Sequence, residues 1–167
     1  METDCCPLFD PDIWDERVLS WPEKKFVKDK VFCLFHVPVG FGATMKRIMR
    51  KMQRTKAECV DGLCLSDHTS KWNMDIYVAV DKDLPESEMQ HLDGQFLFRV
   101  YEGPFSDTGK WCADFSEYAR RRGIAVEKLY MWYTTCPKCA KKRGKNHVAV
   151  VGKLSATSIP PEAVQPD

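Results

Sequence analysis

The clearest alternation of apolar and polar positions lies between Trp72 and Val80. One set of alternate positions is aliphatic: Met74, Ile76, Val78 and Val80. Because successive side chains of a strand point to opposite faces, this predicts a strand whose aliphatic face packs on helices. The other face carries Asn73, Asp75, Tyr77 and Ala79. A carboxylate beside a tyrosine there is either solvated or part of a groove, and the alternation alone leaves both open.

A second strand, Leu129–Thr135, has large rings on both faces. Tyr130, Trp132 and Thr134 point one way, and Met131, Tyr133 and Thr135 point the other. Neither face of such a strand is expected to be fully exposed to solvent. One face should meet the core of the protein, and the other should line a ligand groove or a partner surface. A basic loop containing Cys136 and Cys139 and a valine-rich strand follow, which together predict a β-hairpin ending near Leu154.

Two helices are predicted from apolar residues at helical spacing. The stripes are Met45, Ile48, Met49 and Met52 in the first helix, and Trp111, Phe115, Tyr118 and Ala119 in the second. Ser106 is a suitable N-cap for the second helix, and Gly123 a suitable stop. Each helix follows a strand that ends in glycine, so that aligning Phe35 with Phe98 also aligns Gly40 with Gly103.

The order of elements therefore predicts an α+β fold with an internal duplication. Two β-α-β-β units should form one curved, mainly antiparallel sheet with both helices on one face. We expect an irregular N-terminal arm at 1–29, pinned by Trp14 and Trp21. A single domain at 30–154 should follow, made of repeats at 30–88 and 94–154. Residues 155–167 should form a flexible tail. In strand Phe96–Glu102, we expect Phe96, Phe98 and Val100 on the core face and Tyr101 on the groove face.

Composition excludes several classes of function. The 167 residues include 25 basic and 24 acidic side chains, a formal net charge of +1, which offers no general attraction to nucleic acid or to anionic membranes. No apolar run approaches the roughly 20 residues of a membrane span. The N-terminal residues lack the pattern of a signal peptide, so we expect a cytoplasmic protein whose eight cysteines are mostly reduced. No motif for a nucleotide or another cofactor is present.

The pair Cys136 and Cys139 has three possible readings. Zinc takes four ligands, and this loop supplies only two, so we predict no metal site. Basic neighbours such as Lys138 favour a reactive thiolate, which leaves a redox or nucleophilic role open. The third reading is a turn braced by Pro137, with small side chains facing inward.

The two β-α-β-β units, the VYEGPF segment before the second helix and the DIYVAV strand resemble the GyrI-like small-molecule-binding domain. This family also supplies the effector-binding modules of AraC-type and MerR-type regulators. The likeness covers about Lys30 to Leu154, and the WYTTCPKCA hairpin indicates a distinct, free-standing branch. The resemblance implies a cleft between the two units for bulky planar compounds, which are often cationic. The acidic position that meets the cation in multidrug-sensing members corresponds to Asn146 here, and to Asp75 in the first unit.

The main functional expectation is a module that binds a hydrophobic or aromatic small molecule, without a cofactor. The expected ligand-binding residues are Trp72, Asp75, Tyr77, Tyr101, Trp132, Tyr133 and Asn146. Some free-standing relatives hydrolyse cyclopropane-bearing compounds with a glutamate in the last hairpin. That glutamate is absent here, so an enzyme would use Glu102 or Asp75 as general base, and the sequence favours binding over catalysis. A protein-interaction module, such as a gyrase modulator, is a further alternative.

Overall fold

The computed structural model describes residues 8–35, 37–135 and 137–156. It confirms an α+β fold with antiparallel strand pairing. The elements in chain order are α1 Pro11–Trp14, β1 Arg17–Leu34, β2 Val37–Pro38, α2 Phe41–Thr55, β3 Cys59–Ser70, β4 Asn73–Val80, β5 Glu88–Glu102, a 3₁₀ turn Phe105–Asp107, α3 Thr108–Arg121, β6 Val126–Tyr133, α4 Pro137–Arg143 and β7 His147–Leu154.

The chain divides into two compact units. The central unit is the continuous stretch Glu23–Leu92, and the composite unit joins Met1–Pro22 to Asp93–Asp167. The break after Leu92 lies between the two repeats expected at 30–88 and 94–154. In the central unit, α2 follows β1 and its short partner β2 and is followed by β3 and β4. After β5, the composite unit has α3, β6, α4 and β7.

In the central unit, β4 pairs with β1 on one side and with β3 on the other. Helix α2 packs on one face of these strands, where Ile48 contacts a buried aliphatic cluster. The strand residues of this cluster are Val27, Val31, Cys33, Met74, Ile76, Val78 and Val80. This is the face of β4 that the alternation predicted. Arg47 on α2 also donates two hydrogen bonds to the Asp29 carboxylate, at 2.9 and 2.7 Å.

In the composite unit, β7 is paired with β5 and with β6. Helix α3 packs on one face through Trp111, Phe115 and Ala119. The strand residues beneath it are Leu97, Met131, Val148, Val150 and Leu154. Phe115 approaches the backbone of β7 at Gly152 so closely that a Cβ atom added there would lie 2.7 Å from its ring. The glycine therefore sets how near the helix packs to the sheet.

The first strand begins much earlier than expected. An irregular arm was predicted for 1–29, but β1 already begins at Arg17, and only α1 precedes it among the described residues. Pro22 and the charged run after it hide the strand in the sequence, because proline and clustered charges are unusual within strands. Trp14 packs on Phe98 of β5, whereas Trp21 is itself part of β1 and packs on Phe96.

The last hairpin contains a helix where a loop was predicted. Residues Pro137–Arg143 form α4, which begins with proline at a position where helices tolerate it and is followed by Gly144 with φ 68°. The Gly144 N–H donates to the Ala140 carbonyl at 2.9 Å. Cys139 is buried within this segment, whereas Cys136 lies outside the described residues.

Candidate functional site

A cluster of aromatic rings covers the face of the composite sheet opposite α3. Trp132 on β6 is its centre and is only 3 % exposed. Trp14 lies edge-on to it at a centroid distance of 4.8 Å, Phe9 at 5.3 Å and Phe98 at 6.4 Å. Trp21 extends the cluster by packing on Phe98 at 5.7 Å. We call these residues the aromatic cluster.

The segment before β1 supplies much of this cluster. Asp10 caps α1 by accepting a hydrogen bond from the Asp12 N–H at 3.0 Å. The short helix then places Trp14 over Trp132 and Phe98. At its end, the Asp15 carboxylate accepts a 2.9 Å hydrogen bond from the Val100 N–H on β5. The helix-free face is therefore covered by the chain's own aromatic residues.

A polar group borders the aromatic cluster at the ends of β5 and β7. Glu102 and His147 are cross-strand partners, with 3.8 Å between Oε2 and Nε2. The Glu102 side chain is 58 % exposed, whereas that of His147 is 19 % exposed. The His147 ring lies 5.8 Å from the Phe9 ring. A carboxylate that can meet water thus lies beside an imidazole and an apolar surface.

Asn146 holds the same edge together and leaves one atom without a partner. Its Nδ2 donates to the Gly103 carbonyl at 2.8 Å, and its own carbonyl accepts from the Gly103 N–H at 3.1 Å. Its Oδ1 is buried and has no hydrogen-bond partner among the described residues. Because an unsatisfied buried oxygen is costly, this atom suits a ligand donor.

The two faces of β5 are exchanged relative to the prediction, which placed Tyr101 on the groove face. Tyr101 stacks on Trp111 of α3 at 5.8 Å, and its hydroxyl donates to Asp114 at 2.6 Å. Burial and this hydrogen bond raise the pKa of Tyr101. Tyr101 therefore lies on the helix side, while Phe98 and Glu102 lie on the helix-free side. Both faces of β5 are apolar, so alternation could not distinguish the face covered by α3 from the face covered by α1.

Tyr133 also lies on the helix side. It packs against the buried residues between α3 and the sheet, and it lies edge-on to Phe105, at 5.6 Å between ring centroids. The alternation of β6 predicted that Trp132 and Tyr133 point to opposite faces, and the contacts agree. The structure therefore places Trp132 on the helix-free face and Asn146 just before β7 beside Gly103, whereas Tyr101 and Tyr133 lie on the helix side.

Asp75 and Tyr77 form a second group on the helix-free face of the central unit. The Asp75 carboxylate accepts from the Asn73 amide at 3.1 Å and lies 3.8 Å from the Lys28 ammonium. Lys28 also pairs with Glu88 at 3.5 Å and lies 5.8 Å from the centre of the Tyr77 ring. Burial lowers the pKa of Lys28, but the charges of Tyr77, Asp75 and Glu88 outweigh it and raise the pKa. The charge of Asp75 is thus already compensated.

Trp72 lies apart from this group, in the turn between β3 and β4. It is 44 % exposed and packs against Phe35 at 5.1 Å, with the Lys71 ammonium 5.6 Å from its ring centre. Phe32, Leu34 and Val39 of the central unit are exposed as well. This is an exposed apolar patch, the feature that a protein-interaction role would require.

Sequence reasoning missed Phe9 as a neighbour of Trp132, and His147 as a neighbour of Phe9. The signal for Phe9 and Trp14 was their presence as large apolar residues in an otherwise polar segment. His147 could have been found from its spacing. Ala149 is the cross-strand partner of Trp132, and His147, two residues earlier in the same strand, lies on the same face. The hydrogen bond between Asp15 and Val100 joins residues 85 positions apart, and no local sequence pattern predicts such a contact.

The described residues also bear on metal binding, membrane spanning and thiol reactivity. Within residues 8–35, 37–135 and 137–156, no group of three or more His, Cys, Asp or Glu side chains could hold a metal ion. In the same ranges, no helix is long and apolar enough to cross a membrane. Cys33, Cys59, Cys64 and Cys112 are free thiols. Burial raises the pKa of Cys64 to about 12, which disfavours its thiolate.

Comparison with known proteins gives a family and a fold. The model of the family described as "Bacterial hydrolase" matches residues 1–154. No curated protein matches the chain. The solved C-terminal domain of EcmrR has 10% identity and a TM-score of 0.59, covering 83% of this chain and 95% of that chain. A hydrolase from Listeria innocua has 13% identity and a TM-score of 0.59, covering 85% and 93%. An uncharacterised conserved protein from the same organism has 12% identity and a TM-score of 0.60, covering 85% and 94%. At these identities the likenesses show a shared GyrI-like fold.

Proposed function

Since the chain belongs to the bacterial hydrolase family, we propose that it binds an apolar, aromatic small molecule on the helix-free face of the composite sheet. The aromatic cluster around Trp132 carries this proposal. Trp132 is well buried on the helix-free side, where the segment before β1 covers it rather than α3. Aromatic faces of this kind provide large apolar contact area and stacking for planar rings.

The polar side chains at the ends of β5 and β7 orient the ligand on this surface. The Asn146 Oδ1 atom is a buried acceptor, so a ligand N–H or O–H placed against it gains a hydrogen bond. His147 and Glu102 add an imidazole and a carboxylate next to Phe9. In the central unit, Asp75 and Tyr77 lie on the helix-free face of their own sheet, and we propose that they offer polar contacts to a ligand of that unit. Because Lys28 offsets the Asp75 charge, we expect no strong preference for cations.

Replacing Trp132 with leucine tests the binding site. We expect the affinity for planar aromatic compounds to fall by about 1–3 kcal/mol, because a stacking surface is lost while apolar volume is largely kept. Calorimetric titration measures this change. Tyr133→Leu is the matched control, since the neighbouring ring lies on the α3 side and its loss should leave the affinity unchanged. Equal losses in both variants, or none in Trp132→Leu, would place the binding site elsewhere.

Hydrolysis of the bound molecule is the second candidate function, and the pairing of Glu102 with His147 favours it. The exposed Glu102 carboxylate can accept a proton from water, and the His147 imidazole lies 3.8 Å from one of its oxygens across the strand pair. Asp75 was the other candidate base. It is less suited, because it is 8 % exposed and its two oxygens already meet Asn73 and Lys28. We propose the cyclopropane-bearing compounds implied by the GyrI-like resemblance as the first substrates to assay.

A further inference from the structure

The segment Phe9–Asp15, which we call the arm, contacts the sheet through an aromatic ring and a carboxylate, Trp14 and Asp15. A small molecule with a ring and an acid group could make the same contacts. The Trp14 indole packs on Trp132 and Phe98, at 4.8 and 5.3 Å between ring centroids. The adjacent Asp15 carboxylate accepts the Val100 N–H at 2.9 Å. A planar bicyclic ring and a carboxylate oxygen thus occupy neighbouring positions on the face to which we assign the ligand.

The Val100 N–H is a recognition group that the sheet itself leaves available. Val100 is the register partner of Ala149 on β7. In antiparallel pairs, alternate residues direct both backbone groups away from the partner strand. Because the Val100 N–H points to Asp15, it is one of these outward groups. Once Asp15 leaves, this N–H needs another acceptor, and a ligand oxygen can supply it.

Few contacts hold the arm in place. Helix α1 has only four residues, and none of them is buried. Ile13 is 59 % exposed and Leu8, just before the arm's first ring, is 87 % exposed. Helices this short have little stability of their own. The arm therefore depends on the ring contacts of Phe9 and Trp14 and on the Asp15 hydrogen bond, which are the interactions that a ligand would compete for.

We infer that the segment Phe9–Asp15 is a tethered internal ligand, which the true ligand displaces from Trp132, Phe98 and Val100. This rests on the proposed function, and it narrows the ligand class to planar bicyclic aromatic molecules that carry a carboxylate or carbonyl oxygen close to the ring. In the closed state the arm keeps water from Trp132 and Phe98. Ligand binding opens the arm, so the apparent affinity is lowered by the fraction of molecules that are closed.

Indole-3-acetate is the probe, because it joins an indole ring to a carboxylate as the arm does. Calorimetric titration of the full chain should show that Trp14→Ala binds it about tenfold more tightly than wild type, since the competing ring is gone. Asp15→Ala should shift the affinity in the same direction. Asp12→Ala is the control on the same helix, where the exposed side chain should leave the affinity unchanged. Indole itself should bind Trp14→Ala more weakly than indole-3-acetate.

Weaker or unchanged binding by Trp14→Ala would overturn the inference, because Trp14 would then be a wall of the site or irrelevant to it. Equal affinity for indole and indole-3-acetate would remove the assigned role of the Val100 N–H. If Trp132→Leu loses binding while Trp14→Ala gains none, the internal ligand fails and the proposed function stands. If no variant binds either probe, both fail.

Hydrogen exchange of the wild-type chain gives a test that needs no variant to fold. The Asp15 N–H is bonded to the Pro11 carbonyl at 2.8 Å in the closed arm. Saturating indole-3-acetate should accelerate exchange at this amide as α1 leaves the sheet. Slower exchange would mean that the ligand tightens the arm, which contradicts displacement.

Discussion

Glu102→Gln is expected to lower turnover of a cyclopropane-bearing substrate by about 100-fold, the usual contribution of general acid–base help. The substitution keeps the size of the side chain and removes the carboxylate that would accept a proton from water. Ligand affinity should change much less, because the aromatic cluster supplies most of the contact area. Chromatography of the product formed, at saturating substrate, measures the turnover.

Asp75→Asn is the matched control for this experiment. It also removes one carboxylate on a helix-free face, but that carboxylate is engaged by Asn73 and Lys28. We expect turnover by this variant to stay close to wild type. His147→Gln should fall between the two, because it removes the partner of Glu102 without removing the base. Full turnover by Glu102→Gln would exclude Glu102 as the base, and intact substrate from the wild type would leave a binding module.

Gly152→Val is expected to lower the free energy of unfolding by about 3 kcal/mol, the upper end for forcing extra atoms into a packed core. The first added carbon would already lie 2.7 Å from Cζ of Phe115 and 3.0 Å from Cγ1 of Val126. Phe115 is fully buried, so its ring cannot simply turn into solvent. Helix α3 would have to move away from β7. Denaturant unfolding followed by circular dichroism measures the loss.

Gly109→Ala separates this packing effect from a general effect of losing glycine. Gly109 lies in α3, and a Cβ added there meets nothing within 4 Å. Because alanine favours helices, we expect a gain of about 0.5–1 kcal/mol. Equal stability of Gly152→Val and wild type would show that α3 and β7 are not in close contact in solution.

The elements of the fold were predictable because each unit repeats a strong local pattern. The alternation of Met74, Ile76 and Val78 and the helical spacing of Trp111 and Phe115 each require only nearby residues. The start of β1 and helix α4 were not predicted, since proline and charged residues there oppose the simple patterns. In both segments, tertiary context decided the structure over local propensity.

The site was less predictable than the fold. Trp132, Asn146 and Glu102 were named from the sequence, yet the face of β5 was assigned in reverse. A strand that is apolar on both faces gives no sign of which face meets a helix. The decisive partner, the arm with Phe9 and Trp14, lies far from β5 in sequence. Only the folded chain shows that a short apolar segment at the start packs on a strand near position 100.

The hydrogen bond between Asp15 and Val100 also bears on the order in which the chain folds. It joins residues 85 positions apart, and the composite unit is built from two separated segments. The central unit is one continuous stretch and closes shorter loops, which costs less chain entropy. During synthesis its residues emerge well before β6 and β7. We therefore expect Glu23–Leu92 to acquire structure first, while the arm waits for its strands and docks last.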